Sequence, residues 1–244
     1  MMSFEQFCKK VHRYWVKMRF QPIRVFCFHQ VSDVFEPETM WKCDWTQTDD
    51  FKQKILTLKR RYTFISLPEV TAHLERDSFR FKKYAALTAD DGWASLKNII
   101  PWLAENHIPL TLFLNPLYLD GNHYQSRETE KLLTCNDVAF LVKRFAPSIT
   151  IASHGWDHQD CLKMTMEDFR ERVEKSESIL RNMDGFVPYY AFTYGRHNNN
   201  QSEVLESFSL VPVYMDGTKN IADASSIHRE LLDEGQLVVD HESE

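Results

Sequence analysis

Short apolar runs alternate along this chain with longer stretches of helical periodicity, and this alternation narrows the possible folds more than any other feature. Strand-like runs lie near residues 23–29, 84–89, 110–114, 149–153, 187–193 and 210–215. Helical stretches lie near residues 48–61, 67–76, 93–106, 136–144, 166–183 and 200–208. Strands that alternate with helices build a mainly parallel sheet with helices outside it. The sequence therefore predicts an α/β fold.

The length and composition indicate one barrel-sized domain. A chain of 244 residues, 43% of them apolar, is long enough for an α/β barrel around a single large core. Glycine and proline are few, and no repeat or low-complexity run is visible, which argues against solenoids, propellers and flexible linkers. Two helical stretches follow capping boxes, Ser66 with Glu69 and Thr165 with Asp168.

Two adjacent carboxylates, Asp90 and Asp91, directly follow the strand-like run 84–89 in the sequence Thr-Ala-Asp-Asp-Gly. At the carboxyl end of a parallel strand they lie where α/β folds keep their chemistry. Neighbouring carboxylates in a cleft repel each other, and a divalent cation on one of them leaves the other as a base. An Asp-Asp-Gly sequence is also an ordinary turn with a helix N-cap, so the dyad needs support from a second motif.

Two histidines, His154 and His158, follow the strand-like run 149–153. Ten histidines make this spacing common by chance, and ordinary polar loop histidines are the alternative. At a strand end, a helical turn would bring residues four apart onto one face. Two imidazoles and one carboxylate then form a three-ligand site with open positions, as in catalytic zinc sites. We expect one divalent metal ion, zinc or another first-row metal, and a packing role for Cys161, because a fourth protein ligand would close the open position.

Four motifs in order resemble the polysaccharide deacetylase (NodB-homology) family of carbohydrate esterases. They are Leu-Thr-Ala-Asp-Asp-Gly at 87–92, Ile-Pro-Leu-Thr-Leu-Phe-Leu at 108–114, Ser-His-Gly-Trp-Asp-His at 153–158 and Ala-Phe-Thr-Tyr-Gly at 191–195. The likeness extends from about residue 24 to about residue 229. It implies a distorted (β/α) barrel with about seven strands.

The resemblance also implies a role for each motif residue. Asp90 would be the catalytic base, and Asp91, His154 and His158 would bind the metal. The backbone N–H of Tyr194 would help to hold the oxyanion.

Two histidines compete for the role of general acid. The segment Arg-Val-Phe-Cys-Phe-His-Gln-Val at 24–31 looks like the Tyr-His strand of a subgroup similar to deacetylases of poly-N-acetylglucosamine, in which an N-terminal histidine is the acid. That histidine is His29 here, whereas other members use a late histidine, for which His228 is the counterpart. We favour His29 because it follows a clean strand-like run on a strand other than those of the metal site.

The chain departs from the family pattern at three positions. Ala89 replaces the usual phenylalanine before the dyad, and Thr193 replaces a common proline. Ala191 stands where many members have an arginine that orients the base. The partner of Asp90 is therefore open, and Arg196 and Arg229 are the candidates.

The function that the resemblance implies is metal-dependent removal of N-acetyl groups from an amino-sugar glycan. Trp93 and Trp156 lie near the motifs and could floor a groove for sugar rings or simply pack in the barrel. An amidohydrolase for small non-sugar amides and a glycan-binding protein without turnover are the alternatives.

The N-terminal segment has its own charge and periodicity. The chain has a net charge of −6, and residues 1–24 carry six basic residues against one acidic residue, +5, which leaves −11 for the remainder. Apolar residues at helical spacing predict a basic amphipathic helix over residues 4–19, in a segment 1–22 ahead of a barrel domain 23–244. This helix either packs on the barrel or contacts an anionic membrane, and an acidic body without a recognition motif disfavours nucleic acid.

Cysteine usage and hydropathy predict a cytoplasmic protein, although a secreted chain whose leader had been removed would look the same. No run of eighteen apolar residues and no apolar signal-peptide core is visible. Five widely spaced cysteines without a Cys-x-x-Cys pair fit reduced thiols better than a disulfide framework.

Overall fold

The computed structural model describes residues 21–35, 45–76, 82–120 and 132–232. Ten strands lie in these ranges: β1 Arg24–Phe28, β2 Gln30–Ser32, β3 Trp45–Gln47, β4 Thr63–Phe64, β5 Tyr84–Ala89, β6 Leu110–Leu114, β7 Ile149–Ser153, β8 Phe186–Ala191, β9 Val211–Met215 and β10 Ile227–Leu231. The α-helices there are α1 Thr48–Lys59, α2 Leu67–Glu75, α3 Leu96–Glu105, α4 Pro116–Leu119, α5 Cys135–Phe145, α6 Met166–Leu180 and α7 Asn199–Ser207. Single 3-10 turns occupy Cys161–Lys163 and Thr193–Gly195.

Seven parallel strands close into a barrel in the order β1, β5, β6, β7, β8, β9, β10. The ring closes at β1, where Phe26 lies opposite Leu87 of β5 on one side and opposite Glu230 of β10 on the other. The two-residue strand β4 pairs with the start of β5, and β2 pairs with β3 in a separate two-stranded sheet. The predicted α/β barrel of about seven strands is confirmed.

Alternation of side chains across the strands divides the core into two layers. Residues such as Val25, Ala86 and Phe113 pack with one another inside the barrel. Their chain neighbours, such as Phe26 and Leu87, pack outward beneath the helices. On β1, β5, β6 and β7 the same register continues past the strand end to polar residues, which places polar groups at the mouth of a largely apolar barrel.

Local signals set the helix boundaries. The predicted capping boxes at Ser66 and Thr165 are present, and two more begin α5 at Thr134 and α7 at Asn198. The helix that we expected from residue 93 begins instead at Leu96, because turns occupy the residues between the dyad and the helix.

The seventh barrel strand, β10, is absent from the sequence-based prediction. Its sequence Ile-His-Arg-Glu-Leu places three polar residues in five and lacks the apolar run that marked the other strands. The predicted amphipathic helix over residues 4–19 lies outside the described residues. In the described ranges, no helix has the length and apolar character needed to cross a bilayer.

Candidate metal centre and active site

The seven barrel strands run in the same direction, so their carboxyl ends meet at one mouth. His29 follows β1, Asp90 and Asp91 follow β5, and His154 follows β7. His29 is half-buried, whereas the two aspartates and His154 are buried. The motifs that the sequence analysis singled out therefore converge in space.

A buried ion pair joins Asp90 to Arg229. The guanidinium donates from Nη1 to Asp90 Oδ1 at 2.7 Å and from Nη2 to Asp90 Oδ2 at 2.9 Å. Nη1 also donates to the Thr88 hydroxyl at 3.1 Å, and the guanidinium lies 4.9 Å from the centre of the Phe113 ring. Burial alone would raise the pKa of Asp90, but Arg229, with smaller contributions from His154 and His29, lowers it to about 2. Asp90 is therefore a carboxylate at neutral pH.

The geometry selects between the two arginines that we proposed as partners of Asp90. Arg196 pairs with Asp160 at 2.9 Å and is largely exposed. Arg229 reaches Asp90 from β10, because residue 229 faces into the barrel.

Asp91, His154 and His158 form a compact group of candidate metal ligands. Asp91 Oδ1 lies 3.5 Å from His154 Nε2 and 3.1 Å from His158 Nε2. One ligand atom from each residue lies within 4.8 Å of the others, and all three residues are buried. Asp91 Oδ1 is buried and makes no hydrogen bond of good geometry, so it can accept a cation. The donor set and this oxygen fit a divalent ion.

The pKa values of Asp91 and His154 are shifted toward the protonation states that bind a metal. Burial lowers the pKa of His154, which keeps its imidazole neutral at pH 7 and able to act as a ligand. Burial opposes ionisation of Asp91, but His158 and His154 hold the pKa of this carboxyl below its usual range. His154 Nδ1 lies 2.9 Å from the carbonyl oxygen of Ala191, which favours the tautomer that leaves Nε2 free toward Asp91.

The two histidines meet through a loop, so the expected helical turn is wrong. No helix occupies residues 154–160, and His158 has a φ of 54°. Gly155 has a φ of 80°, and a Cβ at this position would lie 3.0 Å from the Tyr190 hydroxyl. Left-handed backbone at both positions turns the chain back so that the imidazole rings lie 5.0 Å apart.

Asn115, at the end of β6, holds this loop, and the sequence analysis did not identify it. Its Nδ2 donates to the carbonyl oxygens of His154 at 2.6 Å and Gly155 at 3.2 Å. The available signal was a polar residue directly after the apolar run 110–114, the same position that the dyad occupies after β5.

The structure separates the two candidate general acids. His29 lies at the mouth, with a ring nitrogen within 4.8 Å of an Asp90 oxygen. His228 points to the other side of β10 from Arg229 and pairs through Nδ1 with Asp216 at 2.8 Å. The geometry therefore favours His29, as the sequence did, and its role as an acid stays a prediction.

Tyr194 lies beside the candidate ligands on a left-handed backbone, with a φ of 56°. The residue is 54% exposed, and its ring packs edge-on against His158, with the ring centres 4.7 Å apart. A cavity of about 790 Å³ opens here and is lined by His158, Tyr194, Tyr118, Lys163 and Arg196, among others. This cavity borders the metal-binding group at His158.

Trp93 is not placed as we expected for a sugar platform. Its side chain is 5% exposed, lies in the hydrophobic core and donates from Nε1 to Asp91 Oδ2 at 3.1 Å. The suggestion that Trp93 floors a groove for sugar rings is therefore wrong, because the ring is buried in the core and contacts Asp91. Trp156 is half-buried, and its proposed contact with sugar stays a prediction. Cys161 is buried, with Sγ 3.4 Å from the Thr193 hydroxyl, which is consistent with the packing role that we expected.

Comparisons with known proteins support this fold. The family model for polysaccharide deacetylase matches residues 80–213, more than half of the chain. IcaB from Ammonifex degensii has a similar fold, with a TM-score of 0.75 and 18% identity over 86% of this chain and 91% of that one. The deacetylase PplD from Streptococcus pyogenes, solved with acetate, gives a TM-score of 0.72 and 19% identity over 87% and 92%.

A third similar structure is a de-N-acetylase from Aggregatibacter actinomycetemcomitans, with a TM-score of 0.70 and 16% identity over 88% of this chain and 96% of that one. At these identities, the three structures establish the shared fold. No curated protein matches the chain significantly.

Proposed function

This chain belongs to the polysaccharide deacetylase family, and we propose that it is a metal-dependent hydrolase that removes N-acetyl groups from an amino-sugar glycan. One observation carries the proposal. Asp90, kept ionised by Arg229, lies next to a second carboxylate, Asp91, that faces two histidines. One aspartate is thereby equipped as a base and the other as a metal ligand.

The proposed metal ligands are Asp91, His154 and His158. One carboxylate and two imidazoles are a donor set that zinc accepts in open catalytic sites, and other first-row divalent metals also suit it. A bound ion would supply Lewis-acid polarisation of the acetamide carbonyl.

The remaining roles fall to side chains and backbone around this centre. Asp90 accepts a proton from the attacking water, and Arg229 holds the carboxylate in place while it does so. The backbone N–H of Tyr194 donates a hydrogen bond to the developing oxyanion. His29 donates a proton to the nitrogen of the sugar as the C–N bond breaks, because an unprotonated amine leaves poorly. The products are acetate and a free amino sugar.

The open cavity beside His158 and Tyr194 supports a saccharide substrate rather than a very small amide, because it extends well beyond the metal-binding group. The Streptococcus pyogenes deacetylase, which has a similar fold, was solved in complex with acetate, the acid that this reaction would release. The glycan-binding alternative rested on two missing motif residues, the arginine replaced by Ala191 and the proline replaced by Thr193. Arg229 provides a guanidinium to the base from another strand, which removes the missing arginine as a reason to doubt turnover.

Acetate release tests the proposal. We expect purified protein loaded with zinc to release acetate from N-acetylglucosamine oligomers, to lose this activity after treatment with a chelator, and to regain it when metal is added. Activity on small non-sugar amides with none on the oligomers would favour the amidohydrolase instead. Binding of oligomers without acetate release under any metal would refute the proposal.

A further inference from the structure

Trp93 directly contacts the candidate metal ligand Asp91. Its indole Nε1 donates to Asp91 Oδ2 at 3.1 Å, and both groups are buried. A buried donor and a buried carboxylate oxygen that pair in this way hold each other's orientation. Separating them would lose a hydrogen bond between two groups that are shielded from solvent.

This hydrogen bond gives the two oxygens of Asp91 different environments. Oδ2 faces the indole, whereas Oδ1 faces the Nε2 atoms of His154 and His158 at 3.5 Å and 3.1 Å. Oδ1 is also the oxygen that is buried without a hydrogen bond of good geometry. The carboxylate therefore presents one defined oxygen to the histidines.

The backbone fixes the indole in this position. Asp91 and Gly92 both have left-handed backbone, with φ values of 68° and 73°. The carbonyl oxygen of Gly92 accepts a hydrogen bond from the N–H of Leu133 at 2.7 Å, and Trp93 forms an antiparallel bridge with Leu132. The ring packs in the hydrophobic core beside the same segment. Trp93 is therefore a rigid support beneath a strained turn.

We propose that Trp93 is a positioning residue that orients Asp91 so that Oδ1 meets the metal ion, and that its indole N–H thereby sets the affinity for metal. The inference rests on the proposed metal-dependent function. Partners that orient metal ligands typically change metal affinity by about 10- to 100-fold when they are removed.

The variant Trp93→Phe tests the proposal, because it keeps an aromatic ring in the core and removes the N–H donor. The matched control is Trp102→Phe, a half-buried tryptophan on α3 that packs on the same core. We would measure the Kd for Zn²⁺ by competition with a chromophoric chelator, and the melting temperature of each metal-free protein. We expect Trp93→Phe to weaken binding about 10- to 100-fold and Trp102→Phe to stay within about twofold of the wild type.

A purely structural role would lower the melting temperature of metal-free Trp93→Phe and leave its Kd for Zn²⁺ unchanged. This result would overturn the inference but not the proposed function. Wild-type protein that binds no divalent metal would overturn both the inference and the proposed function. A second measurement does not depend on the variant folding. In ¹⁵N-labelled wild-type protein, we expect the chemical shift of the Trp93 indole N–H to change on titration with Zn²⁺. An unchanged chemical shift at saturating Zn²⁺ would also overturn the inference.

Discussion

Arg229 donates one hydrogen bond to each carboxylate oxygen of Asp90, at 2.7 Å and 2.9 Å, across 139 positions of the chain. Both side chains are buried. The planar guanidinium matches the two oxygens in a way that a lysine ammonium does not. The pair therefore holds the candidate base in both its charge state and its orientation.

Replacement of Arg229 by lysine should move the acidic limb of the kcat/KM profile to higher pH. The sign follows because Arg229 lowers the pKa of Asp90, and a base must be deprotonated to accept a proton. Arg229→Met should move the limb further and destabilise the fold by roughly 3–5 kcal/mol, since it leaves a buried carboxylate without its partner. A profile recorded at saturating metal checks both expectations, and an acidic limb that stays in place in Arg229→Met would contradict the role of the pair.

Asp90→Asn should bind metal like the wild type and lose turnover. The amide has nearly the same shape but cannot accept the proton of the attacking water, a role that contributes about 10²-fold or more. Steady-state acetate release and elemental analysis of the same sample test this. A variant that retains more than about a tenth of the wild-type rate would exclude Asp90 as the base.

Each of the variants Asp91→Ala, His154→Ala and His158→Ala should lose metal. One missing ligand out of three removes most of the affinity of an open site. Metal content after dialysis provides the measurement. His228→Ala serves as the control, because this histidine pairs with Asp216 away from the candidate ligands and should leave metal content unchanged. Full occupancy in one of the three variants would remove that residue from the ligand set.

His29→Ala should slow hydrolysis of an amide sharply and hydrolysis of an activated phenyl acetate much less. An amine leaves poorly without a proton, whereas an activated phenolate leaves without one. Rates on both substrates, with metal content verified, decide the question. Equal losses on the two substrates, or an amide-selective loss in His228→Ala, would show that His29 is not the general acid.

Glu177 should make the protein less stable as the pH rises from about 4.5 to about 7. This carboxyl on α6 is 3% exposed, and burial raises its pKa to about 7 even though Arg181 lies 2.8 Å away. The folded state holds the proton more tightly than the unfolded state, so stability is greatest below the unfolded pKa and falls until the folded pKa is passed.

The variant Glu177→Gln should lose this dependence on pH. Urea unfolding of metal-free protein at pH 5 and pH 8 measures the effect, which is at most about 3 kcal/mol for a shift of this size. Parallel losses of stability in wild type and variant would assign the dependence to other groups.

Much of the barrel and the candidate site followed from local sequence. The strands β5, β6 and β7 have the predicted boundaries because each is a short, mostly apolar run that a polar residue follows. The dyad and the histidine motif stand directly after such runs, and parallel strands bring their carboxyl ends together whatever the order of the strands. The sequence by itself therefore determined the fold class and the residues gathered at the mouth.

Only the tertiary structure decided the contacts that cross the barrel. The strand β10 carries too few apolar residues to be recognised alone, yet its position places Arg229, rather than Arg196, on Asp90. From the sequence, Trp93 could either floor a groove or pack in the barrel, and only the tertiary structure shows that it is buried against Asp91. These outcomes depend on which way a side chain points and on neighbours far away in the chain. Local periodicity carries neither kind of information, since it reports the burial of a segment and not its partners.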